Sequence, residues 1–297
     1  MKTTRRSFLQ LIATTAVIAA ITPATFAAKK RKLKKAIMYG TIGVKGTVLQ
    51  KLQAMKEAGF EGVEPMGGMD RAEVKDAMKA TGLKAASVCC HTHWAKPLSA
   101  PDETTRKIGL DGLILSLQDA REYGATSVLL VPGVAKGGVS YDECFKRSVA
   151  EIKKAIPAAK DTGVKIAIEN VWNDFITTPQ QAVDYLDAIN SDWVGWHFDI
   201  GNVGRYSPPE QWIPKLGKRI LKVHLKEFNT KAMTPEKPAA GFGFKLLDGD
   251  NNWPAIMAAL DKVGYTGWGI TEQSGKESAS VEDARDMAQR VDKIFAM

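Results

Sequence analysis

The 297-residue chain is 44% hydrophobic and 25% charged, a composition that suits one large globular domain or two small ones. Its formal net charge of +8 arises at the N-terminus, because residues 1–35 contain nine of the 41 Lys and Arg residues and no acidic residue. The rest of the chain contains the other 32 basic residues and all 33 acidic residues, so it is about neutral. The neutral body offers no basic surface for nucleic acid, so we expect no nucleic-acid partner.

Residues 1–27 have the features of an export signal. Arg5 and Arg6 form a twin-arginine pattern, an apolar stretch follows at residues 11–21, and small residues at 25–27 fit a cleavage site. The apolar stretch is shorter than the roughly 20 residues of a membrane-spanning helix, although an uncleaved anchor is the alternative. We expect the twin-arginine export machinery to carry the protein to the periplasm or the cell exterior, with residues 28–35 as a basic linker.

The three cysteines are an odd number for a protein of an oxidising compartment. Cys89 and Cys90 are neighbours that point to opposite faces of a predicted strand, so a bond between them is disfavoured. We interpret both, together with Cys144, as buried small hydrophobic residues.

From Ala36 onward, short apolar runs alternate with longer amphipathic runs. We predict strands at residues 36–40, 62–64, 85–90, 127–131, 165–169, 194–199, 221–226 and 267–272. We predict helices at residues 47–58, 70–80, 104–123, 141–161, 178–190, 208–216, 253–263 and 281–295, several of them followed by a capping glycine. Eight strand–helix units favour a single (β/α)8 TIM barrel over residues 36–297, of the α/β class, rather than an open doubly wound sheet.

One connection is much longer than the others. Residues 227–252 follow the seventh predicted strand and contain glycines, prolines and few apolar residues. They lie on the side of the barrel where active sites are built. The segment is either a lid over the substrate or a surface insertion.

Polar side chains stand at the ends of the predicted strands. The last four strands carry Glu169, Asp199, His224 and Glu272 at or near their ends, and alternation along each strand turns these side chains into the barrel. Three carboxylates and one imidazole, without a thiolate, suit one divalent metal ion, for which we expect Mn²⁺ before Mg²⁺, Co²⁺ or Zn²⁺. A cation would also keep the three clustered carboxylates ionised.

This order of residues resembles that of the xylose isomerase-like barrels, which include ketose 3-epimerases and hydroxypyruvate isomerases. The resemblance rests on Glu169, on Asp199 within Phe-Asp-x-Gly-Asn, on His224 within Val-His-Leu-Lys and on Glu272, and it covers residues 36–297. It implies that Glu169 and Glu272 bind the metal from opposite sides and exchange protons with a substrate carbon.

The chemistry that this arrangement permits begins with removal of a proton beside a carbonyl group, which gives a metal-stabilised enediolate. Return of the proton to the opposite face is epimerisation, and return to the neighbouring carbon is isomerisation. Expulsion of a leaving group instead is elimination.

The chain departs from the ketose epimerases at several substrate-binding positions. Asn202 stands where those enzymes have a histidine three residues after the aspartate, while Phe175 and Thr230 replace a glutamate and an arginine. Lys226, on the same strand face as His224, can replace the missing arginine as a cation near a substrate oxygen. We therefore predict that Asn202 and Lys226 bind substrate.

Three ring-bearing side chains complete the predicted substrate site. His91, Trp94 and Trp172 follow predicted strand ends, where aromatic rings can stack on the C–H face of a sugar. The alternative for each is packing within a loop.

The leading hypothesis is a metal-dependent isomerase or epimerase of a sugar or sugar-derived ketone. The main alternative is a metal-dependent lyase that eliminates the aglycone from 3-keto glycosides, and a more remote one is a non-catalytic carbohydrate-binding protein. The similar endonucleases that cut at abasic sites need more histidines than the four in this chain and a basic surface. The sequence leaves open whether the protein forms a homo-oligomer.

Overall fold

The computed structural model describes residues 31–297, and the predicted export signal at residues 1–27 lies outside them. Nine strands and nine α-helices follow one another along this part of the chain. The strands are β1 (Leu33–Met38), β2 (Gly62–Glu64), β3 (Lys84–Ala85), β4 (Val88–Cys89), β5 (Ser127–Leu130), β6 (Lys165–Glu169), β7 (Val194–Asp199), β8 (Ile220–Leu225) and β9 (Gly267–Thr271). The helices are α1 (Val48–Ala58), α2 (Arg71–Thr81), α3 (Glu103–Tyr123), α4 (Tyr141–Thr162), α5 (Pro179–Ile189), α6 (Ile200–Gly204), α7 (Pro209–Leu216), α8 (Trp253–Val263) and α9 (Val281–Ala296).

All strand pairs are parallel, and they run in the order β3-β2-β1-β9-β8-β7-β6-β5-β4. The first and last members of this order, β3 and β4, are two halves of one pass of the chain. β3 pairs with β2 and β4 pairs with β5, so the chain itself joins the two ends of the sheet. The predicted TIM barrel is confirmed, and the predicted third strand at residues 85–90 is interrupted at Ala86 and Ser87.

The first strand also differs from its predicted bounds. β1 begins at Leu33 rather than at Ala36, and residues 39–41 form a 3-10 turn. Leu33, Lys34 and Lys35 pair with β9, so the last part of the predicted basic linker belongs to the barrel. Arg31 is bound as well, because its Nε donates to Asp261 Oδ1 at 3.0 Å.

The helices begin and end where local side-chain chemistry dictates. Thr47 and Ser140 form capping boxes at the starts of α1 and α4, each satisfying backbone N–H groups of the first turn. Gly59 and Gly124 close α1 and α3 with φ angles of 100° and 74°, a region that glycine adopts without steric cost. Within residues 31–297, no helix is both long and apolar enough to span a membrane.

Alternation along the strands separates the core from the site. In β7, Trp196 and Phe198 are fully buried among the apolar side chains between sheet and helices, whereas His197 and Asp199 point into the barrel. A small inner cluster of Ala36, Ala86 and Ile270 fills part of the barrel interior. The carboxyl ends of the strands are thereby left to polar side chains.

Candidate active site

The structure brings the four predicted metal ligands together at the carboxyl ends of β6 to β9. His224 Nδ1 lies 3.1 Å from Glu169 Oε1, 3.3 Å from Glu272 Oε2 and 3.7 Å from Asp199 Oδ2. One donor atom from each of the four residues lies within 4.8 Å of all the others. Four short strands, each ending in one donor, thus build one cluster.

Glu64, at the end of β2, holds His224 from below. Its Oε2 lies 2.9 Å from His224 Nε2, and both side chains are fully buried. A proton on Nε2 that is donated to Glu64 leaves the Nδ1 lone pair facing the carboxylates, which is the arrangement that second-layer carboxylates give to metal-binding histidines.

His197 lies two residues before Asp199 in β7, and its fully buried side chain packs in the barrel interior. Its ring centre is 4.2 Å from that of His224, and neither of its nitrogens has a hydrogen-bond partner among the described residues. Burial, and then the neighbouring His224 and Lys222, lower its pKa well below the usual value, so the ring is neutral.

The carboxylates of the cluster fit a bound cation. Burial raises the pKa of Glu169 to about 8 and also raises the pKa of Asp199. Although burial lowers the pKa of His224, Glu64 and the three facing carboxyl groups raise it well above the usual value. A cluster that holds extra protons in this way is one in which a cation can replace those protons.

The charges of the barrel interior point to a divalent ion. The described interior contains two ammonium groups, Lys222 and Lys226, and four carboxyl groups, those of Glu64, Glu169, Asp199 and Glu272. A charge of +2 balances this set when all four carboxyl groups are ionised and the imidazoles of His197 and His224 are neutral. The donor set of three carboxylates and one imidazole agrees with that charge, and the residues therefore fit the predicted metal.

A cavity of about 210 Å³, the active-site cavity, opens directly onto the cluster. Glu169 and Glu272 lie on its walls, and Trp94, Trp172, Asn202 and Lys226 are four of the five predicted substrate-binding residues that line it. The polar cluster and the aromatic walls face one another, as in a site that binds a small polar molecule with C–H faces.

The fifth predicted substrate-binding residue, His91, is not among the residues that line this cavity. His91 is exposed beside Gly67 and Gly68, and His93 lines the cavity instead. His93 Nδ1 accepts a hydrogen bond from the Val131 backbone N–H at 3.1 Å, which leaves Nε2 as the donor. Burial lowers the pKa of His93 to about 4, so its ring is a neutral donor.

Lys226 joins the metal cluster to the substrate wall. Its Nζ lies 2.6 Å from Glu272 Oε2, 3.5 Å from Asp199 Oδ2 and 3.4 Å from Asn202 Oδ1. Burial opposes its charge, but Asp199 and Glu272 raise its pKa above the usual value. Burial raises the pKa of Glu272, but Lys226, His224 and Asp199 together lower the pKa of that carboxyl group well below its usual range.

Asn202 is held in one orientation by its neighbours. Its backbone N–H donates to Asp199 Oδ1 at 2.7 Å, and its side-chain Nδ2 donates to the carbonyl of Asn170 at 3.0 Å. Its carbonyl oxygen accepts from Trp172 Nε1 at 2.8 Å. The side-chain oxygen of Asn202 is therefore the atom that faces Lys226 and the cavity.

Two further residues of the site were not identified from the sequence. Asn170 joins the ends of β6 and β7, because its side chain donates to the carbonyl of Asp199 at 2.8 Å and accepts from Trp196 Nε1 at 2.9 Å. Phe242, from the long segment, covers the cavity 5.1 Å from Lys226 Nζ. Asn170 directly follows Glu169 in the sequence, which is a signal for it, whereas nothing local singles out Phe242.

The long segment 227–252 folds over the mouth and is fixed from within. Glu227 is fully buried, and its Oε2 accepts hydrogen bonds from the Leu247 backbone N–H at 2.7 Å and from Trp253 Nε1 at 2.8 Å. Phe242 packs on Trp172, with 4.7 Å between the ring centres. Of the two alternatives for this segment, the structure agrees with a cover over the cavity.

Comparisons with known proteins agree with this architecture. A family model described as a xylose isomerase-like TIM barrel matches residues 52–293. L-ribulose-5-phosphate 3-epimerase UlaE of Salmonella paratyphi C is 24% identical over 258 residues, which cover 80% of this chain and 87% of the relative.

Solved structures share the same fold. The 3-keto-D-glucoside 4-epimerase YcjR of E. coli superposes with a TM-score of 0.72 at 19% identity, covering 89% of this chain and 100% of that structure. The D-allulose 3-epimerase of Methylomonas sp. superposes with a TM-score of 0.71 at 18% identity, covering 89% of this chain and 96% of that structure. Together with the family match, these findings show that the chain belongs to the xylose isomerase-like TIM-barrel family.

Proposed function

We propose that the protein is a divalent-metal-dependent isomerase or epimerase of a sugar or sugar-derived ketone. The observation that carries the proposal is the placement of Glu169 and Glu272 on one cavity. They come from β6 and from the end of β9, with β7 and β8 between them, and both carboxylates reach His224 Nδ1. Two carboxylates that approach one small cavity from two strands can serve the two faces of one substrate carbon.

Glu169, Asp199, His224 and Glu272 would hold the metal ion, with Mn²⁺ as the proposed ion. When bound, a divalent ion polarises a substrate carbonyl and neutralises the negative charge that develops on its oxygen. One of the two glutamates removes the proton beside the carbonyl, and the other returns a proton. Lys226 keeps Glu272 ionised and fixed in position through the 2.6 Å contact.

The remaining walls orient the substrate and keep water away from the reacting carbon. Trp94 and Trp172 present aromatic surface for the C–H face of a sugar, and Phe242 covers the cavity. His93 Nε2 is a neutral donor and Asn202 Oδ1 an acceptor, which suits substrate hydroxyl groups. The epimerase names of the relatives support the same class of reaction.

The proposal is tested by proton exchange in heavy water. We expect the Mn²⁺-loaded protein to incorporate deuterium beside the carbonyl of a ketose or a 3-keto sugar, measured by mass spectrometry and NMR. Loss of one of the two carboxylates removes a general acid or base, so Glu169→Gln and Glu272→Gln should each slow exchange by roughly 10²–10⁴-fold. Metal content is measured in parallel, since both residues are proposed ligands.

Glu236→Gln, at an exposed glutamate of the long segment, is the matched control and should exchange at the wild-type rate. Undiminished exchange in both active-site variants would contradict the mechanism. Release of an aglycone from a 3-keto glycoside would instead establish the lyase. Normal ligand binding without any exchange would establish a binding protein.

We also propose that residues 1–27 direct export by the twin-arginine machinery. The support is the Arg5–Arg6 pair followed by a short apolar stretch. Changing both arginines to lysine should keep the protein in the cytoplasm, as measured by cell fractionation, while the wild type reaches the periplasm. Equal distribution of the two proteins would contradict the proposal.

A further inference from the structure

A second cavity, here called the floor cavity, lies at the amino ends of the strands, on the side of the barrel opposite the active-site cavity. Its volume is about 420 Å³. The residues that line it lie just before or in the first half of β5, β6, β8 and β9, at positions 126, 163, 165, 221, 222 and 266–268. None of the proposed metal-binding, catalytic or substrate-binding residues lines it, so the floor cavity is separate from the active site.

Three strands contribute a lysine to this floor. Lys165 of β6 and Lys222 of β8 line the cavity, and alternation places them on the same strand face as the proposed metal ligands four and two residues later. Lys34 of β1 lies beside them, with its Nζ 5.4 Å from the ring centre of Trp268. Trp268 lines the cavity and packs against the small inner cluster of the barrel.

Lys222 crosses the floor of the barrel. Its Nζ donates to Thr126 Oγ1 at 2.8 Å, which links β8 to the residue just before β5. Lys222 is only 5% exposed, and Thr126 is its one side-chain acceptor among the described residues. An ammonium group has three N–H donors. Because unpaired donors are costly in a buried position, the remaining two call for acceptors at the cavity.

The positive charge of the floor cavity is not neutralised at the cavity itself. No carboxyl group is among the described residues that line it. Lys34, Lys165 and Lys222 take part in none of the ion pairs within residues 31–297. Glu64, the carboxyl group that acts on Lys222 from inside the barrel, is bound to His224. An anion between these lysines would therefore be attracted by all three.

The lining has the donors and the size for a phosphate group attached to an organic molecule. The hydroxyl groups of Thr126 and Thr266 add to the ammonium groups, and phosphate oxygens accept strong hydrogen bonds from charged donors. Trp268 and Leu221 give the cavity an apolar wall. The volume of about 420 Å³, against about 210 Å³ for the active-site cavity, falls in the usual range for small-molecule sites.

We propose that the floor cavity is an anion site that binds the phosphate group of a small phosphate ester. Lys165 and Lys222 contact the phosphate, Lys34 adds positive charge, and Trp268 contacts the organic part. A ligand held by β1, β6 and β8 joins strands that are far apart in the sequence, so its binding stabilises the closed barrel. The site does not depend on the reaction at the metal cluster.

The test is calorimetric titration of the Mn²⁺-loaded full chain with inorganic phosphate, after free Mn²⁺ has been removed. We expect one phosphate to bind with a Kd of about 1 mM or lower. Loss of one charged donor should raise this Kd by about tenfold in Lys165→Gln and in Lys222→Met. Lys237→Gln, which removes the same charge from an exposed position in the long segment, should keep the wild-type Kd.

Absence of phosphate binding by the wild type would overturn the site. An equal Kd in Lys165→Gln and Lys237→Gln would also overturn it, since phosphate would then bind elsewhere, such as at the metal cluster. Thermal unfolding checks each variant, and Lys165→Gln decides alone if the buried substitution Lys222→Met does not fold.

Vesicles distinguish a soluble ester from a lipid headgroup as the source of the phosphate. We expect no co-sedimentation with phosphatidylcholine vesicles that contain phosphatidic acid, because the floor cavity has room for a small molecule. Co-sedimentation that is lost in Lys165→Gln and kept in Lys237→Gln would overturn the small ester in favour of a headgroup.

Discussion

The two ring nitrogens of His224 have different partners and different roles. Nδ1 faces three carboxyl groups, while Nε2 is bound to Glu64 on the other side of the ring. Glu64 comes from β2, 160 residues before His224 of β8, and β1 and β9 lie between these two strands in the sheet. The orientation of the imidazole therefore depends on the complete fold.

Replacement of Glu64 should weaken metal binding without removing a ligand. In Glu64→Gln the amide can still accept from His224 Nε2, but the negative charge that makes the ring a stronger donor to a metal is lost. We expect the dissociation constant for Mn²⁺ to rise by roughly 10–100-fold, measured by competition with a chelator. Glu57→Gln, at an exposed position, is the control, and an unchanged constant in Glu64→Gln would contradict the assigned role.

Residue-level prediction succeeded where the chain is regular. Glu169, Asp199 and His224 lie inside strands, so alternation and strand ends were enough to place them in one cluster. His91 lies two residues beyond Cys89, the last residue of β4, where the chain turns, and it is not among the residues that line the cavity. Beyond the last strand residue, alternation no longer says which side chain faces inward, and His93 took the position.

At the scale of the elements, the long segment 227–252 owes its shape to one buried carboxylate. Glu227 accepts hydrogen bonds from Leu247, Asn251 and Trp253, which lie 20 to 26 residues later in the chain. Gln273, next to Glu272, adds a further link by accepting from the Glu227 backbone N–H at 3.0 Å. Hydrogen bonds therefore connect both ends of the long segment to Glu227, and Glu227 to Gln273 beside the proposed ligand Glu272.

Glu227→Gln should loosen this cover. The new NH₂ group replaces either Oε2 or Oε1, and it cannot accept hydrogen bonds. The two N–H groups that donate to the replaced oxygen therefore lose their acceptor. We expect the free energy of unfolding to fall by about 2–4 kcal/mol, measured by urea denaturation, and cleavage within residues 227–252 to be faster in limited proteolysis. Glu236→Gln in the same segment is the control, and equal stability and proteolysis would contradict the role of Glu227.

Elements were predicted unevenly, for identifiable reasons. All eight predicted helices occur, and their ends lie within one residue of the predicted ends. This accuracy arises because single capping residues, such as Thr47 and Gly59 of α1, mark where a helix begins and ends. The short helix α6 and the break between β3 and β4 were not foreseen. The break follows from pairing of β3 with β2 and of β4 with β5, which a local pattern does not contain, whereas α6 has a local signal in its cap, Asp199.

At the scale of the whole molecule, the metal and protons compete for the same carboxylates. The folded pKa of Glu169, at about 8, is raised above its unfolded value, so the metal-free native state binds more protons than the unfolded state between about pH 4.5 and pH 8. The contribution of this group to stability is therefore full at low pH and is lost as the pH rises through that window.

Metal should consequently stabilise the protein more at pH 8 than at pH 6. An excess of Mn²⁺ of about 1,000 times its dissociation constant stabilises a folded protein by about 4 kcal/mol. We expect the difference in Tm between Mn²⁺-loaded and EDTA-treated protein, measured by calorimetry, to be several degrees and to grow from pH 6 to pH 8. An equal or smaller difference at pH 8 would contradict the binding of metal by these carboxylates.

Because β1 begins as early as Leu33, the described chain enters the barrel at the end opposite the active-site cavity. Arg31 is held at the ends of α8 and α9 through Asp261 and the carbonyl of Phe295, whereas Met38, at the other end of the same strand, lines the active-site cavity. Residue 31, where the described part of the chain begins, therefore lies on the face away from the active-site cavity. Immobilisation through the N-terminus should leave the mouth open, which makes it the preferred geometry for a supported catalyst.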